Sequence, residues 1–257
     1  MTNTFSLVFF FGLIILSILG FVFCILLFRA TRGATKAWTY LSIYGIANAI
    51  LGLLGLVRSF VSDTTLQAVY FLQAVCILAI VTLSILAANI FIKDFGLKQR
   101  FFSARNVLIF MGLVFVIVLG YNLTGFTAFW AQKFYSIAIL LLVIGYILNL
   151  VPMSKLTVTT GKSQWFFLGL GWFLNALLIF SLLGGNCCDT SEMVEGTAIE
   201  ACGGDVIFVK ILPIACDSGF IDLYQLGLLA VLVGSAFIVL AEGMFWYKIA
   251  RPGMKTK

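Results

Sequence analysis

The chain has 257 residues, 62% of them hydrophobic and only 10% charged, with a net charge of +6 and no histidine. So few charges cannot cover a water-exposed surface, where about 25% is usual, and the composition is that of a polytopic membrane protein. Without histidine there is no His-ligated haem, no histidine iron site and no histidine acid–base catalysis. The bases flank apolar runs instead of clustering on a soluble face, which argues against nucleic acid as a partner.

A membrane helix needs about 20 mainly apolar residues. In lipid the backbone must satisfy its own polar groups, and these runs are too uniformly apolar for barrel strands. The expected fold is therefore all-α. Seven spans are predicted, over residues 5–28, 38–57, 66–92, 106–126, 134–152, 165–184 and 221–247.

Span 1 opens "MTNTFSLVFF" with no basic segment before it, so it is expected to be a retained helix rather than a cleaved signal. Arg29, Arg32 and Lys36 follow it. Span 2 carries Trp38 at its start and Asn48 near mid-depth. Span 3 carries Gln73, Thr82, Ser84 and, near its end, Asn89, followed by Lys93, Lys98, Arg100 and Arg105. Span 4 has the weakest signal and fades into "NLTGFTAFWAQK", which holds the glycosylation sequon at Asn122. Span 5 ends at Asn149 and Pro152, with Lys155 and Lys162 beyond. Span 6 carries Trp165 and Asn175. Span 7 carries Glu242 and is followed by Lys248, Arg251, Lys255 and Lys257. Cys24 and Cys76 sit mid-span as expected packing residues. Gly45, Gly52, Gly169 and Gly171 predict close helix contacts. Glu242 is the only carboxylate deep inside a span; Asp222 stands at the edge of the seventh. Glu242 is expected either to reach the nearby interface or a base, or to serve as a gate or proton site.

Thirteen of the sixteen bases then fall on one side; only Arg58, Lys133 and Lys210 fall on the other. By the positive-inside rule the N-terminus is outside and the C-terminus inside. The loop at 185–220, between spans 6 and 7, is then extracytoplasmic, in a plasma or secretory-pathway membrane. Cys187, Cys188, Cys202 and Cys216 lie in it, and seven of the ten acids lie between Asn186 and Asp222. On an oxidising side two disulfides are expected. Neighbouring cysteines fit bridge geometry poorly, which leaves 187–202 with 188–216, or 187–216 with 188–202. The spacing does not suit a zinc site, which usually shows Cys-x2-Cys pairs. The acids are either tolerated there or form a vestibule that attracts cations.

An internal repeat is also legible. "KAWTYLSIYGIANAILGLLG" in span 2 and "KSQWFFLGLGWFLNALLIFSLLG" in span 6 share a Trp-x9-Asn-Ala spacing, pairing Trp38 with Trp165 and Asn48 with Asn175. "ILAANIFIK" closes span 3 as "VLAEGMFWYK" closes span 7, and "ILGFVF" in span 1 parallels "VIGYIL" in span 5. The expected organisation is helices 1–3 in 1–105, a linker helix in 106–133 and helices 5–7 in 134–257, as a parallel repeat. This 3+1+3 plan resembles the SWEET sugar transporters and the wider PQ-loop family. The closest local likeness is "YILNLVPMSKLTVTTGKSQWFF", where Pro152, Ser154, Thr160 and Ser163 fit the family's Pro-Leu-Ser and the basic, Thr/Ser-rich turn after it. The chain departs from the family in lacking a PQ dipeptide and an asparagine in span 7.

The resemblance implies alternating-access transport. The residues themselves point to a small-solute transporter or channel with a polar site between spans 2 and 6. Asn48, Asn175, Trp38, Trp165, Gln73 and Glu242 are its candidate residues. The other reading is a non-catalytic transmembrane subunit or receptor-like protein whose outer loop binds a partner. No nucleophile–base set, metal motif or phosphate loop supports an enzyme, and no cofactor is expected. The expected partners are the lipid bilayer and other membrane subunits or further copies of the chain.

Overall fold

A computed structural model describes residues 4–58, 60–61, 63–97, 109, 112, 128–178 and 223–254. Six helices are described: α1 (Thr4–Ala30), α2 (Ala37–Arg58), α3 (Asp63–Asp94), α4 (Ala128–Thr160), α5 (Ser163–Ala176) and α6 (Leu223–Met254). Five are long and apolar enough to cross a membrane. The described part of α5 has 14 residues, short of the 20 or so that a crossing needs. Of the predicted fourth span only Ile109 and Gly112 are described. The end of the sixth span, the cysteine loop with Cys187, Cys188, Cys202 and Cys216, and Asn122 lie outside the described residues.

α1 and α2 end within two residues of their predicted spans, whereas both ends of α4 and the C-terminal end of α6 run six to eight residues past theirs, because hydropathy marks only the lipid-facing stretch. Lys155 and Lys248 are thus still helical. Pro152 lies inside α4, with eight more helical residues beyond it, although a proline removes one ladder hydrogen bond. At the end of α3, Gly96 takes the left-handed conformation (φ 68°). Its N–H reaches Lys93 O at 3.0 Å and that of Leu97 reaches Ile92 O at 3.0 Å. This pair of bonds satisfies the carbonyls that a helix end leaves open.

The six helices form a ring in chain order, each packed chiefly on its two neighbours, and α6 closes against α1. Consecutive helices joined by short turns are antiparallel. α5 and α6, separated by a longer stretch of chain, are antiparallel as well, whereas the contacts of α3 with α4 and of α6 with α1 are parallel. Along the first, Tyr70 meets Tyr135, Val81 meets Gly145 and Ser84 meets Asn149. Along the second, Gly12 meets Leu232, Gly20 meets Glu242 and Phe23 meets Trp246. The alternation gathers Arg29, Arg32, Lys36, Lys93, Lys155, Lys162 and Lys248 at one end of the ring, here called the basic end, whereas Arg58 stands over Tyr70 at the other.

The glycines set how close the helices come. A Cβ on Gly171 would stand 2.7 Å from Gly234 O, one on Gly45 3.0 Å from Ser17 O, one on Gly52 2.8 Å from Ile14, and one on Gly169 3.0 Å from Met153. The close packing expected at these four positions is therefore present. It matters in lipid, where helices gain contact by packing and not by leaving water.

Candidate functional site

At the basic end four rings form a closed square of edge-to-face contacts. Centroids are 4.9 Å apart for Trp38–Phe91, 4.8 Å for Phe91–Trp165, 4.6 Å for Trp165–Phe245 and 5.4 Å for Phe245–Trp38. Such pairs align a ring's positive edge with its neighbour's negative face. α2, α3, α5 and α6 each supply one ring, with the two tryptophans at opposite corners. Trp165 is buried and its indole Nε1 has no hydrogen-bond partner.

Asn48 lies ten residues beyond Trp38 and Asn175 ten beyond Trp165, so both stand about 15 Å above the square. Between these levels the Tyr44 and Tyr146 hydroxyls meet at 2.9 Å across the ring. The side chains of Asn48 and Asn175 both lie against the Tyr44 hydroxyl, and Asn175 also lies against that of Tyr146. Asn48 Nδ2 donates to Tyr44 O at 3.0 Å. Asn175 is buried and its Oδ1 has no partner. The two asparagines are thus brought to one polar centre, with Tyr44 and Tyr146 between them.

The other candidates are spread around this centre. Gln73 is buried in the half of α3 away from the basic end, with Oε1 unpartnered. Asn149 Nδ2 donates to Ser84 Oγ at 3.0 Å, and Ser84 Oγ donates on to Val81 O at 2.8 Å. Asn89 is buried with Nδ2 unpartnered.

Glu242 reaches neither the interface nor a base: it is only 2% exposed and accepts a hydrogen bond from Cys24 Sγ at 3.1 Å on Oε1. Lys248 lies six residues further along α6, which turns it about 120° away around the helix, and it is exposed. Cys24 is buried as expected, but it is also the partner of the buried acid. Glu242 Oε2 has no partner and faces Gly20 across the α1–α6 contact.

Tyr44, Tyr146, Cys24, Ser84 and Gln164 were not singled out as site residues by sequence. Tyr44 had a readable signal, since it lies four residues before Asn48 and so shares its helix face. Gln164 had none: beside Lys162 it looks like an interface residue, yet it is fully buried with both side-chain polar atoms unpartnered.

The membrane-length helices and this interior define a class, the polytopic α-helical integral membrane proteins. Comparison with known families, with curated proteins and with solved structures gives no match.

Proposed function

We infer that the protein is a small-solute transporter or channel whose polar site lies between α2 and α5. The observation that carries this reading is the buried Asn175 side chain, whose Oδ1 has no donor, beside two tyrosine hydroxyls and Asn48 at mid-depth in the ring. An unmade bond of this kind costs about 1–3 kcal/mol. Buried polar groups left open mark places where a ligand or water completes the set. Asn48 and Asn175 bind the solute, Tyr44 and Tyr146 form the constriction beside it, and the square of Trp38, Phe91, Trp165 and Phe245 closes the basic end.

A three-helix duplication supports alternating access. α1–α3 correspond to α4–α6, so the ring contacts α3–α4 and α6–α1 are equivalent. The paired residues Trp38 and Trp165 take opposite corners of the square, as do Phe91 and Phe245. Gly20 touches Val239 where its counterpart Gly145 touches Ile85. In this reading the basic end faces the cytoplasm, the loop at 185–220 lies outside, and neutral polar solutes such as sugars are the first class to try. The reading needs no enzymatic step.

The test is uptake and counterflow of radiolabelled glucose and sucrose in proteoliposomes. Wild-type flux that falls at least about tenfold in both Asn48→Ala and Asn175→Ala supports the site; flux untouched by both overturns it. A second reading, a non-catalytic membrane subunit, is favoured by the filled centre, where Tyr44 touches Tyr146 and four rings meet below them. Co-purification of a stoichiometric partner with no flux would support that alternative.

A further inference from the structure

Beside the polar centre, between α1, α2 and α6, lies a separate small cavity of about 20 Å³. Its polar lining is Ser17, Tyr44, Asn48, Ser235 and Glu242. A space of this size holds one water-sized particle, so it cannot be the solute site.

The hydrogen-bond directions decide what fits. Ser17 Oγ donates its proton away, to Leu13 O at 2.6 Å. Asn48 Nδ2 is engaged with Tyr44 O, which leaves its Oδ1 as the free acceptor. Glu242 Oε1 is held by Cys24, and Oε2 is buried without a partner. The Ser17 proton and one of the two Asn48 amide protons are therefore spent on backbone carbonyls, and the lone pairs of Ser17 Oγ, Asn48 Oδ1 and Glu242 Oε2 remain for the cavity. A lining that offers acceptors rejects anions and suits a cation. Glu242 is its only acid, and one carboxylate balances a single charge; a divalent ion normally collects more anionic oxygens. A carboxylate enclosed in this way keeps its charge only beside a counter-charge. Neutral hydroxyl and amide oxygens are hard ligands, unsuited to soft metals.

We propose that this cavity is a binding site for one monovalent cation of sodium size, held by Glu242 Oε2 with the oxygens of Ser17, Asn48 and Ser235. Gly20 leaves room for the ion: a Cβ there would stand 3.0 Å from Glu242 Oε2. The site shares Asn48 and Tyr44 with the polar centre, so ion occupancy bears on the geometry of both. Binding itself does not depend on the transport reading and is measured without it.

The experiment is ²²Na⁺ binding to the purified full chain in lipid nanodiscs, with thermal unfolding in sodium, potassium or choline chloride at equal ionic strength. The expected result is saturable binding of one sodium per chain and a melting temperature raised by sodium but not by choline, since a ligand that binds only the folded state stabilises it. Glu242→Gln removes both effects. Gly20→Ala keeps the carboxylate but narrows the cavity, and weakens sodium binding roughly tenfold or more, the scale on which perturbed surroundings weaken ion sites. Equal stabilisation by sodium and choline overturns the site, as does ²²Na⁺ binding that survives both substitutions. Loss of glucose flux in Asn175→Ala, a residue outside this cavity's lining, with sodium binding intact would bear on the transport reading alone.

Discussion

Two parallel helix contacts close the ring, and they are built differently. At α3–α4, Gly145 admits Val81 and Ile85, and Asn149 spends its amide on Ser84. At α6–α1, Gly20 faces a carboxylate, and a cavity remains where the other contact has side chains. The first is also the more enclosed: 61% and 50% of the most apolar stretches of α3 and α4 are buried, against 33% and 28% in α6 and α1. Two contacts of one geometry thus divide the work. One is filled by side chains and joined by the Asn149–Ser84 bond, while the other, joined by the Cys24–Glu242 bond, keeps one carboxyl oxygen unpartnered and space beside it. Polar groups in a membrane are costly, so the contact that keeps an open one is where chemistry is expected.

The sharpest way to break this contrast is at the glycines. Gly145→Leu forces a branched chain into a place where even a Cβ would stand 2.8 Å from Val81. A loss of about 3 kcal/mol is expected, read by tryptophan fluorescence during unfolding in mixed micelles. Gly20→Ala meets the end of one flexible side chain, Glu242 Oε2 at 3.0 Å, which can shift by a few tenths of an ångström, and is expected to cost under about 1 kcal/mol. Equal losses would mean that the two contacts are equally packed.

Next in size is Asn149→Ala, with a loss of about 1 kcal/mol, the scale of interhelical hydrogen bonds in membranes. A double-mutant cycle with Ser84→Ala should show coupling. Additive losses would show that the Asn149–Ser84 bond contributes nothing to the α3–α4 contact. Tyr44→Phe and Tyr146→Phe are each expected to cost about 0.6 kcal/mol, and the double variant little more than either alone, because both remove the same bond. The smallest effect should have the opposite sign: in choline buffer Glu242→Leu is expected to be neutral or stabilising by up to about 1 kcal/mol, since it deletes a buried carboxyl oxygen without a partner at the loss of one weak bond from the Cys24 thiol. A strong loss there would mean that Glu242 holds the helices together much as Asn149 does.

The comparison also shows what hydropathy can and cannot read. The common spacing of Trp38 to Asn48 and of Trp165 to Asn175 was legible because tryptophan and asparagine are rare in apolar helices. Gly45, Gly52, Gly169 and Gly171 were legible because a residue without a side chain in a membrane helix usually admits a neighbour. Glu242 was misread by its nearness to Lys248 along the chain, for it is the angle around the helix that separates them. The tyrosine pair was missed because each phenol alone passes for an interface or packing residue. Spans such as α1 are apolar on every face, so their rotation leaves no periodic trace.

By itself the sequence determined that the chain lies in a membrane as helices, where most of them start and stop, and which of their ends carry the bases. Those properties depend on length, hydropathy and charge, which add up residue by residue along the chain. Only the tertiary structure decided which polar atoms face one another: the Tyr44–Tyr146 bridge, the Asn149–Ser84 bond, and Glu242 turned toward Cys24 and a small cavity. Lipid is as apolar as the helix faces it touches and gives little preference for one rotation over another. The orientation comes instead from glycine contacts and hydrogen bonds between helices far apart in sequence.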